Sequence, residues 1–134
     1  MFSNYHVLYV EDDMLSREIM QISMAAMQVG DFTIFEDSTN FLKRIGALSP
    51  VPGIILLDIH MDPHNGFEML DMLRSHDTYD DTRIIALTAS VMNQEVQQLK
   101  ESGFDGAIAK PLDVETFPEL FKKIINGEAV WHIA

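Results

Sequence analysis

Asp58 stands where the apolar run Ile54-Ile55-Leu56-Leu57 stops, and three other places in the chain set a polar residue after an apolar run in the same way. Glu11 and Asp12, with Asp13 beside them, follow Tyr5-His6-Val7-Leu8-Tyr9-Val10. Thr88 follows Arg83-Ile84-Ile85-Ala86-Leu87, and Lys110 follows Gly106-Ala107-Ile108-Ala109. A carboxylate at the end of a buried run must be solvated, paired or bound to a cation, because burying it alone is costly. Clustered carboxylates without His or Cys companions are hard oxygen ligands, suited to a magnesium ion that keeps some of its waters. With a cation holding the like charges ionised, Asp58 could attack an electrophilic phosphorus and form an aspartyl phosphate. Lys110 would then offset charge on the transferred oxygens and the Thr88 hydroxyl could donate to one of them, with the small Ala89 leaving room.

Taken singly, each residue has a plainer reading. Asp58 could end a strand in a turn, Glu11 to Asp13 could open a helix, Thr88 could be a turn residue, and Lys110 an ordinary strand-end lysine before Pro111. Their joint placement after four separate apolar runs is what accident does not readily supply.

The elements that must position them follow from periodicity. Strands are expected at Tyr5 to Val10, Asp31 to Glu36, Ile54 to Leu57, Arg83 to Leu87 and, weakly, Gly106 to Ala109. Helices are expected at Leu15 to Met27, from about Thr39, after Gly66, from about Asn93 to a stop at Ser102-Gly103, and from Thr116 to about Asn126. Thr116 with Glu119 reads as a capping box, with Pro118 tolerated in the first turn. The first helix carries two apolar stripes: Leu15, Ile19, Ile22 and Ala26 on one side, Met20, Met24 and Met27 nearly opposite. Only one stripe can face the sheet of a small domain, so the other is either half-covered or offered to a partner, and periodicity alone does not choose between them. Five repeats of strand then helix, with connections too long for hairpins, predict a doubly wound parallel sheet with helices on both faces. In such sheets ligands bind outside the carboxyl ends of the strands, which is where the acids, Thr88 and Lys110 would converge.

Composition narrows the class. A chain of 134 residues with 47% apolar content makes one globular domain. It has no apolar run near the roughly 20 residues needed to span a bilayer and no basic leader, so it is expected to be soluble and cytoplasmic. Zero cysteines exclude disulfides and thiolate chemistry. A net charge of −12 argues against direct contact with nucleic acid or an anionic membrane.

With these residues in view, the chain resembles the receiver domains of two-component response regulators from roughly Tyr5 to Asn126. The likeness rests on Val10-Glu11-Asp12, Leu57-Asp58, the Met61 to Gly66 loop, Ile84-Ile85-Ala86-Leu87-Thr88-Ala89 and Lys110-Pro111. It implies a flavodoxin-like (βα)5 fold with strand order 2-1-3-4-5. The chain divides into a receiver domain over 1–127 and a short C-terminal tail over 128–134, which carries Trp131 and either packs back or docks elsewhere. In the receiver reading the first helix is part of the docking surface for the phosphodonor, with the methionine stripe packed inward and Leu15, Ile19 and Ile22 meeting the partner. The resemblance implies Asp58 as phosphoacceptor for a phosphoryl group from a sensor histidine kinase or histidine phosphotransfer protein, with Thr88 and Lys110 assisting. Mg2+ would be held by Asp12, Asp58 and the backbone carbonyl of His60, and by Glu11 through water, leaving Asp13 a bystander. His60 and Ser90 would tune hydrolysis of the aspartyl phosphate.

Two positions depart from the family pattern. An aromatic residue usually stands three before the lysine, and here that position is Ala107, so coupling to the face of the fourth helix, fifth strand and fifth helix is weakened or uses other residues. Proline usually follows the loop methionine directly, whereas this chain reads Met61-Asp62-Pro63. A metal site on His60 and His64 is disfavoured, because Pro63 breaks the helix that such spacing needs.

The expected function is phosphoacceptance without turnover of a substrate, the chain promoting only its own phosphorylation and dephosphorylation. With no output domain in the sequence, signalling would pass by contact with a downstream protein, as a monomer or a phosphorylation-dependent dimer. The enzyme alternative is a haloacid-dehalogenase-like phosphatase with Asp58 as nucleophile. Those enzymes, however, put the nucleophile after the first strand and a second acid two residues later, where this chain has His60. A receiver-like scaffold that is never phosphorylated is disfavoured by the intact acid, Thr and Lys positions.

Overall fold

The computed structural model describes residues 5–89 and 92–133; Ser90 lies outside them. The order is β1 (His6–Val10), α1 (Met14–Ala26), β2 (Asp31–Phe35), α2 (Phe41–Gly46), β3 (Ile54–Asp58), α3 (Gly66–Arg74), β4 (Arg83–Thr88), α4 (Asn93–Ser102), β5 (Gly106–Ala109), α5 (Phe117–Ile125) and β6 (Val130–His132). A short 3-10 turn at Asp77–Tyr79 precedes β4. All strand pairs are parallel, in the order β2-β1-β3-β4-β5-β6.

The central strands are apolar at nearly every position because both faces of the sheet are covered. Leu8, Val10, Ile55, Leu57, Ile84, Ala86 and Ala107 point to one side, where Phe41, Ile45, Met69, Leu70, Leu73 and Leu99 of α2, α3 and α4 meet them. Val7, Tyr9, Ile54, Leu56, Ile85, Leu87 and Ile108 point to the other, against Met20 and Met24 of α1 and Phe117, Leu120, Phe121 and Ile124 of α5. The period of two along each strand thus supplies two cores, one per layer.

Packing also settles which stripe of α1 faces the sheet. Met20, Met24 and Met27 are buried, while Leu15 and Ile22 are 64% and 66% exposed. Asp13 is the N-cap of α1, its Oδ2 accepting from Ser16 N at 2.9 Å and Ser16 Oγ at 2.8 Å.

The five-strand expectation is corrected by β6. Gly127, with φ 81°, closes α5 in a Schellman turn in which Gly127 N donates to Ile124 O and Glu128 N to Lys123 O. The chain then turns back and lays Val130–His132 parallel to β5, with Trp131 in register with Ala107. Gly106 permits the approach, since a Cβ there would collide with the Val130 carbonyl. The expected capping box at Thr116 is also absent. Thr116 already has helical dihedrals and makes no capping bond, whereas an N-cap needs an extended backbone to fold its side chain onto the helix. Asp113 fixes this turn instead, its Oδ1 accepting from Glu115 N and its carbonyl from Phe117 N. The capping box of the fold is Asn65 with Glu68, at the start of α3. Among the described residues no helix is long and apolar enough to cross a membrane.

Candidate functional site

The carboxyl ends of β1, β3, β4 and β5 bring Glu11, Asp12, Asp58, Thr88 and Lys110 to one edge of the sheet. Ladder bonds running past the strand ends hold them in register: Glu11 N donates to Phe35 O, Ile59 N to Leu87 O and Lys110 N to Thr88 O. Gly66 lets α3 start tightly against this edge. A Cβ there would lie 2.8 Å from Ile59 Cδ1 and 3.0 Å from the Asp58 carbonyl oxygen. Ser38 pins the loop between them, donating to His64 O and accepting from His64 N.

Glu11 is fully buried, Asp58 nearly so, and Asp12 is exposed. Carboxylate oxygens of the three lie within 4.8 Å of one another. Lys110 Nζ sits 2.8 Å from Glu11 Oε1 and 3.6 Å from Asp58 Oδ2. Tyr9 donates its hydroxyl to Glu11 Oε1 at 2.7 Å. His60 meets the site through its backbone N–H, 3.4 Å from Asp58 Oδ1. The Thr88 hydroxyl is buried and donates to Glu95 Oε1 at 3.2 Å.

Electrostatics separate the two buried acids. Burial, then the hydrogen bond and negative charge of Glu11, push Asp58 up to about 7 against the pull of Lys110. Burial acts on Glu11 as well, but bonds from Asp58, Lys110 and Tyr9 outweigh it and hold Glu11 below its ordinary value. Burial depresses Lys110, yet Glu11 and Asp58 prevail and raise it. Burial and the Glu11 charge push the Tyr9 hydroxyl far up, so it stays a donor. Without a cation, therefore, the pair holds a proton more readily than exposed carboxylates do, with Asp58 the member pushed up and Glu11 the member held down.

The donor set suits a hard divalent cation. Three close carboxylates, two of them buried and repelling one another, have one nearby ammonium to balance them, and no His or Cys joins the group. The loop histidines go elsewhere, His60 Nε2 to 3.7 Å from Glu95 Oε1 and His64 Nδ1 to 3.9 Å from Glu68 Oε2. On the α1 side, a cleft of about 270 Å³ opens beside Lys110 and Tyr9, walled by Leu15, Ile19, Pro111 and Leu112.

Residues 7–122 match the family model described as the response regulator receiver domain. The chain belongs to that family. A nitrate/nitrite response regulator protein homolog of Haemophilus influenzae is 30% identical over 125 residues, covering 92% of this chain and 58% of that protein. Hybrid signal transduction histidine kinase D of Dictyostelium discoideum is 33% identical over 111 residues, or 80% of this chain and 7% of that one. This receiver domain therefore spans little more than half of the first relative and a small part of the second. Its fold is that of the chemotaxis response regulator CheY4 of Vibrio cholerae, with a TM-score of 0.80, 22% identity, and coverage of 90% of this chain and 98% of that one. The dehalogenase-like alternative finds no support beside this match, and Asp58 ends the third strand of the receiver rather than the first.

Two residues of the site went unread in the sequence. Tyr9 stands two positions before Glu11, which directly follows β1, a spacing that in extended chain puts both side chains on one face. Glu95 lies in the first turn of the helix after Thr88, but nothing in the sequence tells which way that turn faces.

Proposed function

We propose that this receiver domain accepts a phosphoryl group on Asp58 from a phosphohistidine of a sensor histidine kinase or histidine phosphotransfer protein. The observation that carries the reading is Asp58 itself, buried at the end of β3 with Lys110 Nζ 3.6 Å away and the Glu11 and Asp12 carboxylates alongside. Glu11, Asp12, Asp58 and the backbone carbonyl of His60 would hold Mg2+. When bound, the ion neutralises the clustered acids and the oxygens of the transferred group.

Asp58 attacks as the carboxylate, so any proton it holds passes first to solvent. An Asp58 oxygen then forms a bond to phosphorus, the P–N bond of the phosphohistidine breaks, and its electron pair returns to the imidazole nitrogen. Lys110, held at the edge by Glu11, lies close enough to offset charge on the phosphoryl oxygens. Thr88 donates its hydroxyl once it turns from Glu95. His60, two residues past the acceptor, flanks the path of a hydrolysing water. The chain promotes these steps on itself and turns over no other substrate.

The donor is expected to dock on the outer stripe of α1, where Leu15 and Ile22 are exposed, and on the adjoining cleft, which Leu15 and Ile19 line together with Pro111 and Leu112. Methionines fill the inner face of α1, so this outer stripe is left for a partner. We take residues 1–127 as the receiver unit working in the cytoplasm through a downstream protein, with 128–134 a short tail whose Val130–His132 adds an edge strand. The direct test is incubation with Mg2+ and phosphoramidate, a small donor with a P–N bond, followed by intact-mass analysis. Gain of one phosphoryl group is expected, and no gain despite bound Mg2+ would refute the reading.

A further inference from the structure

Helix α4 touches the site at one end and the added strand at the other. In its first turn, Glu95 Oε1 accepts from Thr88 Oγ1 at 3.2 Å and lies 3.7 Å from His60 Nε2. Near its last turn, Lys100 Nζ stands over the Trp131 ring, 5.4 Å from the centroid, within the range of a cation–π contact. Trp131 belongs to β6, in register with Ala107 of β5, and packs against the cluster that holds Ala107, Leu99 and Phe104. The small side chain at Ala107 leaves the neighbouring indole room on that face. Between its two ends α4 buries only Leu99 fully. A helix held by so little apolar surface shifts at low cost.

The Thr88 hydroxyl carries a single hydrogen. While it is donated to Glu95 it is not available to a phosphoryl oxygen, so the two acceptors compete for it. Thr88 ends β4 beside Asp58, the last residue of β3, whose register partner is Leu87. A phosphoryl group on Asp58 brings strong anionic acceptors to that edge. It also adds negative charge facing the Glu95 carboxylate, which is only partly exposed. Both effects act in the same direction, withdrawing the Thr88 hydrogen bond from Glu95 and disfavouring Glu95 where it stands.

We propose that Glu95 is the latch of the unphosphorylated state, and that its release from Thr88 shifts α4 and loosens the Lys100 contact, carrying the change to Trp131 on β6. This rests on Asp58 being the phosphoacceptor. The two positions of the Thr88 hydroxyl are the two-state element, and α4 is the rigid part that joins it to the edge strand. Glu95 is a positioning residue, acting through Thr88.

Trp131 is the only tryptophan of the chain, so its emission reports this corner of the fold alone. The test follows intact mass and Trp131 emission together in the full chain, with Mg2+ before and after phosphoramidate. The wild type is expected to gain one phosphoryl group and to shift its emission in step with that gain. Glu95→Ala is expected to gain the group no more slowly, to start with its emission already displaced toward the phosphorylated position, and to shift little further. Lys100→Met is expected to gain the group with a reduced emission step. A phosphorylated wild type with unchanged emission would overturn the latch, as would a full wild-type step in Glu95→Ala. Failure of the wild type to gain mass would instead overturn the assignment of Asp58, and the latch with it.

Discussion

Lys110 Nζ lies 2.8 Å from Oε1 of Glu11, pairing a half-buried ammonium with a carboxylate that has no exposure to solvent. The pair fixes the lysine at the edge of the sheet and leaves it 3.6 Å from Asp58. Removing one partner of a buried pair strands the other. Lys110→Met is therefore expected to destabilise the metal-free fold by about 3 kcal/mol in urea denaturation. It should also slow phosphorylation, since no other cation is described within ion-pair distance of Asp58. An unchanged denaturation midpoint would show that Glu11 finds other compensation.

Asp58 strains the site in the opposite sense. Its carboxyl is raised to about 7 from an ordinary 3.8, so the folded state binds more protons than the unfolded chain between those values. The stability this proton confers is full below the unfolded value and is lost as pH rises through the folded one. Metal-free protein should thus lose stability from about pH 4 to about pH 7 through this group, and the slope should vanish in Asp58→Asn. At neutral pH that variant is expected to be more stable than wild type by on the order of 1–3 kcal/mol. Thermal melts across the pH range measure both. Glu11, held below its ordinary 4.5, acts with the opposite sign and in a lower window, losing stability as pH falls below that value.

The same proton competes with a cation. Mg2+ affinity is expected to rise with pH up to about 7, by as much as about tenfold per pH unit, and then to level off. Calorimetric titration at several pH values checks this, and a flat profile would mean that Asp58 is already ionised without metal.

Asp12 and Glu11 should separate binding from folding. Asp12 is exposed, so Asp12→Asn should stay within about 0.5 kcal/mol of wild-type stability while weakening Mg2+. Glu11→Gln should weaken Mg2+ and also destabilise, because it removes the buried charge to which Tyr9 and Lys110 donate and leaves the Lys110 ammonium without its nearest counter-charge. Equal effects of the two on stability would contradict the burial described.

Gly66→Ala tests how the loop holds Asp58. The added Cβ would meet Ile59 and the Asp58 carbonyl at 3.0 Å or less, so α3 or the end of β3 must move. A loss of about 1–3 kcal/mol is expected, with slower phosphorylation. Gly46→Ala, in a helix and with open space around its Cα, is the matched control and should not destabilise.

Much of this fold could be read from the chain because each strand is an apolar run stopped by a polar residue. A parallel sheet covered on both faces writes that pattern directly. The site was legible for the same reason, since Glu11, Asp12, Asp58, Thr88 and Lys110 are themselves the stops. The two stripes of α1 were equally visible, and only contact with the sheet decided for Met20 and Met24. Strand β6 escaped because three residues after a glycine carry too short a period to register, and its pairing depends on the missing Cβ of Gly106. The Thr116 capping box failed because its sequence pattern does not reveal the backbone angles of Thr116. Glu95 was out of reach because its contacts with Thr88 and His60 arise from how α4 sits against two strand ends.

Borohydride reduction of the phosphorylated protein, followed by peptide mass mapping, tests the central claim most directly, since an aspartyl phosphate is reduced to homoserine while a free aspartate is untouched. After treatment with phosphoramidate and Mg2+, homoserine is expected at position 58 alone and nowhere in Asp58→Asn. Homoserine at another acid with Asp58 intact, or none despite a gain of phosphoryl mass, would contradict it.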